Sequence, residues 1–216
     1  MQIARVKICC ISSSEEAAMA IRYGAAALGL VGKMPSGPGI ISDEEIYSIA
    51  QTIPPPIASF LLTSETTAED IITHHRRVHT TTIQLVDALS DRSYELIREK
   101  LPAVKLVQVI HVIDERSVEE AIEIADFVDA ILLDSGNPNL SVKELGGTGR
   151  THNWQLSRQI RSHITKPVFL AGGLHPLNVK EAIEVVQPFG VDLCSGVRTH
   201  GKLDEKKLEA FFKALE

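Results

Sequence analysis

Short apolar blocks recur along the whole chain, and each is followed by a segment whose apolar residues return with helical spacing. Several blocks are continuously apolar, as in strands that are buried on both faces. The pattern predicts eight strands: Ile3–Cys10, Ala27–Val31, Ile57–Leu62, Thr81–Val86, Lys105–Ile110, Ala130–Leu133, Pro167–Ala171 and Val191–Cys194. It also predicts eight helices: Glu15–Tyr23, Asp43–Thr52, Thr67–Val78, Asp91–Lys100, Ser117–Ile124, Asn153–His163, Pro176–Val186 and Asp204–Leu215.

Strand–helix units joined by short connections favour an α/β fold, a closed (β/α)8 TIM barrel, with one domain over residues 1–216. An open doubly wound sheet is the alternative. Such a sheet places phosphate-binding glycines after its first strand, and Cys10–Ser14 contains none. The glycines lie late instead, at 146–149, 172–173 and 196. Because barrels often hold phosphate in the loops after strands seven and eight, their positions favour the barrel.

The composition limits the classes of function. Of 216 residues, 44% are apolar and 23% charged, and no apolar run is long enough for a membrane span. The first residues lack a signal-peptide core, and three cysteines make no disulfide framework, so we expect a cytoplasmic protein without a membrane partner. The net charge of −6 argues against nucleic-acid binding, and an anionic substrate needs local donors.

Two strands end in residues that carry chemistry. Alternation places Lys7 and Cys9 on one face of the first strand, at the end where barrel active sites lie. The alternative for Cys9 is a small buried hydrophobe. Asp134 ends an otherwise apolar strand, where a charge is costly unless it is solvated or paired. It is either a site carboxylate or a loop cap, and the same reasoning applies to Asp192.

Two glycine-containing turns, Gly172-Gly173 and Ser195-Gly196, follow the seventh and eighth strands. Glycine permits close backbone approach and exposes N–H donors, so together they indicate a phosphate site. The stretch Gly146–Thr151 is glycine-rich too. It is not a P-loop, because it lacks the Gly-Lys-Ser/Thr ending.

A basic, imidazole-rich patch lies in the third predicted helix, where His75 and His79 share a face and His74, Arg76 and Arg77 lie beside them. A metal site is conceivable, but no nearby carboxylate or cysteine joins the histidines in the sequence. We interpret the patch as a solvated helix face and predict no metal site.

A set of motifs makes the chain recognisable. They run nearly end to end: Val6–Cys9, Leu132–Ser135, Gly146–Thr151 with Trp154, Ala171–Leu174 with Pro176, Asn178 and Val179, and Val191–Asp192 with Ser195–Val197. In this order and spacing they resemble the phosphoribosylanthranilate isomerase family, single-domain barrel enzymes of tryptophan biosynthesis.

The resemblance implies an Amadori rearrangement of a small phosphorylated sugar-amine without a metal or organic cofactor. Asp134 matches the general acid that opens the furanose ring, and Cys9 matches the general base that removes the sugar C2 proton. Lys7 on the same face could favour the Cys9 thiolate. The residues expected to contact the substrate or its phosphate are Lys7, Thr148, Gly172, Gly173, Asp192, Ser195 and Gly196. The protein is expected to be a monomer or a homodimer.

The chain departs from the family where the aromatic end of the substrate binds. The family carries an arginine for the anthranilate carboxylate after strand two, and Lys33–Ser42 has none. The family's Gln-Leu-His-Gly after strand four is Gln84–Asp87 here. Cys10 replaces a family glycine, Cys194 a serine and Arg198 a glutamate.

These departures lead to three hypotheses about function. The chain isomerises phosphoribosylanthranilate with reduced affinity, it isomerises another phosphorylated aminoaldose, or it is a barrel that binds a phosphorylated metabolite without turnover. A cation elsewhere, Lys33, Arg150 or Arg198, could hold the carboxylate. An arginine introduced at Gly39 is expected to improve the Michaelis constant.

Overall fold

The computed structural model describes residues 5–90 and 92–216. Within them, eight parallel strands form a closed barrel in chain order, and the first strand pairs with both the second and the eighth. The strands are β1 Arg5–Ile8, β2 Ala27–Val31, β3 Ala58–Thr63, β4 Thr82–Leu85, β5 Lys105–His111, β6 Ala130–Asp134, β7 Val168–Leu170 and β8 Gly190–Leu193. The predicted barrel is confirmed, and the open-sheet alternative is wrong. That the chain forms one domain stays a prediction.

A helix follows each strand, as the periodicity predicts. The helices are α1 Ser14–Tyr23, α2 Asp43–Thr52, α3 Ala68–Val78, α4 Tyr94–Lys100, α5 Arg116–Ala125, α6 Trp154–His163, α7 Val179–Val186 and α8 Glu205–Lys213. The predicted helix start at Asp91 and the predicted strand start at Ile3 lie outside the described residues. Helix α7 starts after Pro176, because residues 176–178 form a turn first.

Helix starts are fixed by the side chains that precede them. Ser42 Oγ accepts a hydrogen bond from the Glu45 N–H at 3.2 Å, and the Glu45 carboxylate accepts one from the Ser42 N–H at 2.8 Å. This reciprocal pair satisfies donors that a helix otherwise leaves unpaired. It anchors the end of the long loop between β2 and α2.

Strand alternation divides the core into two layers. In β6, Ile131 and Leu133 pack outward against the helices, whereas Ala130 and Leu132 belong to the cluster inside the barrel. Asp134 lies two residues after Leu132, so strand alternation points its side chain into the barrel as well. Alternation likewise points Cys9 inward just after β1. The barrel interior is therefore apolar at its base and polar at its mouth.

The chain between β8 and α8 is irregular. Ser195–Val197 form a short 3-10 turn, which leads into a hairpin of β9 Arg198–Thr199 and β10 Lys202–Leu203. The sequence pattern did not predict this hairpin. It places Arg198 under the end of β1.

Helix α3 corrects the interpretation of the basic patch as a solvated face. His74 and His75 are buried, and only His79 of the three histidines is exposed. His74 contacts Thr63 Oγ1 at 2.9 Å and Asp43 Oδ1 at 3.1 Å, and His75 Nε2 contacts the Thr80 carbonyl at 2.7 Å. The carboxylate comes from α2, a contact that local spacing does not contain.

No membrane-crossing helix occurs in the ranges 5–90 and 92–216, where every helix is too short or too polar. The same ranges contain no cluster of three or more potential metal-ligating histidine, cysteine, aspartate or glutamate residues.

Candidate active site

The carboxyl ends of the strands surround a cavity that opens to solvent. Most of the predicted site residues line it together: Cys9, Asp134, Thr148, Gly172, Gly173, Asp192 and Ser195. They come from β1, β6 and β8 and from the loops after β6, β7 and β8. Barrel active sites form at this end of the strands.

Two predicted residues lie behind the cavity wall. Lys7 is fully buried, and its Nζ lies 2.9 Å from Asp192 Oδ1 on the neighbouring strand. Burial acts to lower the pKa of Lys7, but the negative charges of Asp192 and Cys9 outweigh it and raise that pKa. A cation is therefore held beneath the cavity floor. Gly196 packs so tightly that a Cβ there would lie 2.1 Å from the Leu174 carbonyl oxygen.

Cys9 combines burial with a stabilised thiolate. It follows the last residue of β1, and its N–H donates to the Leu193 carbonyl at 2.7 Å, which continues the pairing with β8. A hydrogen bond from the Cys10 thiol lowers the pKa of Cys9; burial opposes this shift, and the positive charge of Lys7 adds to it. The net direction is downward, so Cys9 is suited to accept a proton.

Asp134 has the opposite shift. Burial raises the pKa of its carboxyl group, although a 2.7 Å hydrogen bond from the Ser135 N–H and the charges of His111 and Lys7 work against it. A Cβ on Gly146 would lie 2.8 Å from Asp134 Oδ2, so only glycine leaves this oxygen room. A carboxyl group that keeps its proton at higher pH is suited to act as an acid.

The glycine loops approach one another closely at the other side of the cavity. Gly172 and Gly173 have φ values of +84° and +59°, in the left-handed region that favours glycine. A Cβ on Gly173 would lie 2.7 Å from the backbone carbon of Arg150. The loop after β6 is tied down by Thr148, whose hydroxyl lies 2.7 Å from the Ser135 hydroxyl. The loops after β6 and β7 therefore share one packed wall.

The model of the N-(5'-phosphoribosyl)anthranilate (PRA) isomerase family matches residues 6–214. A relative from Methanocella arvoryzae, N-(5'-phosphoribosyl)anthranilate isomerase, is 34% identical over 204 residues, covering 94% of this chain and 93% of its own. This chain belongs to the PRA isomerase family.

Solved structures of PRA isomerases agree with the fold. The Thermotoga maritima protein superposes with a TM-score of 0.81 at 32% identity, covering 98% of both chains. A second PRA isomerase structure, a complex with reduced 1-(o-carboxyphenylamino)-1-deoxyribulose 5-phosphate, has a TM-score of 0.77 at 30% identity and covers 98% of both chains.

The loop after β2 lines the cavity with uncharged side chains. Met34, Gly37 and Pro38 line the cavity from this loop, with Val31 and Leu62 beneath them. Among the described residues that line the cavity, none is lysine or arginine. Arg150 directly follows Gly149, which lines the cavity, and its guanidinium is paired with Glu144.

Arg198 cannot supply the missing charge, which corrects that expectation. Its guanidinium donates to both oxygens of Glu16, at 3.2 and 3.1 Å, and to the Cys9 carbonyl at 3.1 Å. The residue is 7% exposed. Arg198 is a structural cation that joins the hairpin after β8 to the end of β1.

Gly39 is also the wrong place for an introduced arginine. Its φ is +77°, and a Cβ there would lie 2.5 Å from the Cys10 Cβ. Any side chain at this position would displace the turn after β1. Met34 already lines the cavity with a long unbranched side chain, so it is the position for such a substitution.

Sequence reasoning missed two polar residues at the mouth. Gln84 is buried in β4 and lines the cavity, and its Oε1 has no hydrogen-bond partner among the described residues. His111 ends β5 in register with Asp134; its Nε2 lies 3.1 Å from the Val86 carbonyl, and its Nδ1 finds no partner within residues 5–90 and 92–216. Gln84 and His111 could have been found in the sequence by the feature that identified Asp134, a polar side chain in an otherwise apolar strand.

Proposed function

We propose that this chain converts N-(5'-phosphoribosyl)anthranilate to its 1-deoxyribulose isomer by an Amadori rearrangement, a step of tryptophan biosynthesis. The observation that carries the proposal is one cavity that holds a thiol with a lowered pKa and a carboxyl group with a raised pKa, Cys9 and Asp134. Pairs of titratable groups whose pKa values are displaced toward the working pH are suited to acid–base catalysis.

In the proposed reaction Asp134 and Cys9 each act at one bond of the substrate. Asp134 gives its proton to the ring oxygen as the C1–O bond of the ribose opens, which leaves a Schiff base to the amine nitrogen. The Cys9 thiolate then removes the proton from C2, and the electron pair moves to form an enolamine. Tautomerisation of the enolamine gives the ketose. No electrons enter or leave, so this chemistry needs no redox cofactor.

The phosphate is proposed to bind where the loops after β7 and β8 meet, near Gly173, Ser195 and Gly196. Turns with left-handed residues present backbone N–H groups that bind anions without a cation. The absence of basic side chains from the described lining makes such dipolar donors the main anion site. Thr148 and Gly172 complete this wall, and Lys7 and Asp192 support the sugar end from beneath.

A second substrate class is favoured by one specific observation, the uncharged wall of Met34, Pro38 and Leu62. Such a wall accommodates an apolar amine substituent and gives no bidentate partner to a carboxylate. An N-phosphoribosyl aniline, which lacks the carboxylate, distinguishes the two classes. If a charged partner held the carboxylate, its removal would lower kcat/KM by about tenfold or more, since a charge-assisted hydrogen bond contributes about 1.5 kcal/mol or more. Because the wall offers no such partner, we expect the kcat/KM of the aniline to lie within about tenfold of the anthranilate value.

The third class is a barrel that binds a phosphorylated metabolite without turnover. The acid–base pair argues against it, because binding alone does not require two groups whose pKa values are shifted in opposite directions.

We further propose that the chain acts in the cytoplasm as one domain, as a monomer or a homodimer.

The direct test of the proposed function is complementation of a tryptophan auxotroph that lacks this isomerase, together with an assay of the purified protein. We expect the wild-type gene to restore growth and the purified protein to turn over the substrate. The matched control is the gene with Asp134→Asn, which we expect to fail. Absence of both growth and turnover with a folded wild-type protein would refute the proposal.

A further inference from the structure

We propose that Cys10 and Cys194 form a reversible disulfide, by exchange with a low-molecular-weight disulfide, that covalently joins the end of β1 to the end of β8. This modification goes beyond the isomerisation and does not depend on the substrate. It concerns two thiols that the acid–base mechanism does not use as acid or base.

The two sulfur atoms are already in contact. Cys10 Sγ and Cys194 Sγ lie 2.7 Å apart, although 184 positions separate the residues in the sequence. A disulfide bond is about 2.05 Å long, so the sulfurs need to move by less than 1 Å. Both residues are free thiols in this structure. The sulfur atoms are therefore within reach of bond formation.

A small oxidant can reach the pair from solvent. Both cysteines line the open cavity, and Cys194 is only partly buried. Structural cysteines in a closed apolar core lack such a route. Cys194 is the more exposed of the two thiols, and contacts with Cys194 and Cys9 raise the pKa of the buried Cys10, so a small disulfide meets Cys194 first.

The backbone at Cys10 points to a use for its thiol. Its φ is +64°, in the left-handed region, where a side chain is unfavourable and glycine is not. Cys10 follows β1 and Cys194 follows β8, and the two thiols contact each other. The contact gives the residue with the unfavourable backbone conformation a partner from the neighbouring strand.

The position of the pair in the topology determines what a cross-link would do. β1 and β8 are the first and last strands of the barrel, and they pair to close it, with Val6 opposite Val191 and Ile8 opposite Leu193. A disulfide there ties this closing seam and forms a covalent ring that contains the seven strands β2 to β8. Cross-links across long loops restrict the unfolded chain most, so the oxidised protein should be more thermostable.

The oxidation balances with a small disulfide as the electron acceptor. One thiol of the pair loses its proton and attacks the small disulfide, which gives a mixed disulfide and one small thiol. The second thiol loses its proton and displaces the second small thiol. Two protein S–H bonds and one small S–S bond are replaced by one protein S–S bond and two small S–H bonds. A dithiol reverses the reaction.

The cross-link would also alter the proposed base. The Cys10 thiol is the first cause of the lowered pKa of Cys9, and a disulfide has no S–H to donate. The oxidised protein should therefore need a higher pH to deprotonate Cys9. Oxidation of the pair would therefore change the pH dependence of the activity, because it removes the Cys10 S–H that lowers the pKa of Cys9.

The test is disulfide mapping of the full-length wild-type protein. The protein is equilibrated with oxidised glutathione, its remaining thiols are alkylated in denaturant, and tryptic peptides are analysed by mass spectrometry. We expect peptide Ile8–Arg22 to be linked to peptide Glu181–Arg198, with one of the three cysteines alkylated. The melting temperature should rise by roughly 5–10 °C and return after reduction with dithiothreitol.

Three single variants assign the link to its residues. Cys9→Ser should keep the cross-link, whereas Cys10→Gly and Cys194→Ser should each lose it. Three alkylated cysteines, glutathione adducts alone, or a link between Cys9 and Cys10 in the wild type would overturn the proposal. So would a link to Cys194 that persists in Cys10→Gly. If a variant does not fold, fragmentation of the linked wild-type peptides decides the question, because it shows whether the alkyl group is on Cys9, as expected, or on Cys10, which would overturn the proposal.

Discussion

The two ends of the cavity are built in different ways. The proposed sugar end is made of side chains at strand termini, such as Cys9 and Asp134, which are buried and have fixed polar neighbours. The proposed aromatic end is made of the loop after β2, where Met34 is partly buried and Gly37 and Pro38 are exposed. In the proposed mechanism the chemistry lies on the barrel strands, and the choice of amine substituent lies on a loop. The loop can therefore change without disturbing the acid–base pair.

The largest effect is expected at the sugar end. Asp134→Asn removes the transferable proton, and Cys9→Ser leaves a far weaker base, so kcat should fall by roughly 10²–10⁴-fold in each variant. Circular dichroism should show that both stay folded.

The matched control for these variants is Asp129→Asn. Asp129 precedes β6, the strand that ends in Asp134, and lies at the opposite end of the barrel. It accepts hydrogen bonds from Arg98 and the Leu106 N–H. Its replacement should lower stability and leave kcat unchanged. Normal turnover by Asp134→Asn or Cys9→Ser would remove that residue from the mechanism.

The second prediction concerns the phosphate wall. Gly173→Ala places a Cβ against the backbone of Arg150, so the loop must move, and the Michaelis constant for a phosphorylated substrate should rise by roughly a hundredfold. Gly201→Ala is the control, because Gly201 has a similar φ of +78° and open space around it. Steady-state kinetics of both variants separate crowding at the site from backbone strain. Equal Michaelis constants would show that the phosphate binds elsewhere.

The third prediction concerns the aromatic end. Met34→Arg should lower the Michaelis constant for the anthranilate substrate by about tenfold, because a charge-assisted hydrogen bond contributes about 1.5 kcal/mol. Met34→Leu should change little. Binding of a product analogue, measured by calorimetry, checks the same claim. The prediction is wrong if the wild-type protein already binds ligands with the carboxylate much more tightly than ligands without it. That result would show that a cation outside the described cavity lining reaches the carboxylate.

The smallest effect is on stability at acid pH. Burial lowers the pKa of His152, beneath the Gly172 loop, to about 4. The unfolded chain binds this proton at its ordinary pKa of 6.5 and the folded chain does not. The free energy of unfolding is therefore unaffected by this group above pH 6.5, falls by up to about 1.4 kcal/mol per pH unit between pH 6.5 and about 4, and changes no further below that. Urea unfolding at pH 7 and pH 5 should show a smaller loss for His152→Gln, and an equal loss would contradict this account.

The sequence predicted those features that depend on local pattern. Strand alternation placed Lys7 and Cys9 on one face, and the charge at the end of an apolar run identified Asp134. The same signal was present at Gln84 and His111. A single polar residue in a strand does not by itself distinguish a site residue from a buried residue that is hydrogen-bonded to the backbone.

Features that depend on contacts between distant residues were not predicted. His74 and His75 are buried because Asp43 and Thr80 provide partners, and neither contact follows from helical spacing. Arg198 is held by Glu16, which lies 182 positions away. The approach of Gly39 to Cys10 likewise depends on how a loop folds back over the mouth.

The central claim is that Cys9 and Asp134 form an acid–base pair whose pKa values move toward each other. The most direct test is the pH dependence of kcat/KM for the wild-type enzyme with N-(5'-phosphoribosyl)anthranilate. Activity requires a deprotonated Cys9 and a protonated Asp134, so the profile should be bell-shaped. Both limbs should lie inside the window set by the ordinary pKa values of 3.8 for aspartate and 9.0 for cysteine. A profile that is flat across this window, or limbs at or outside its ends, would contradict the claim.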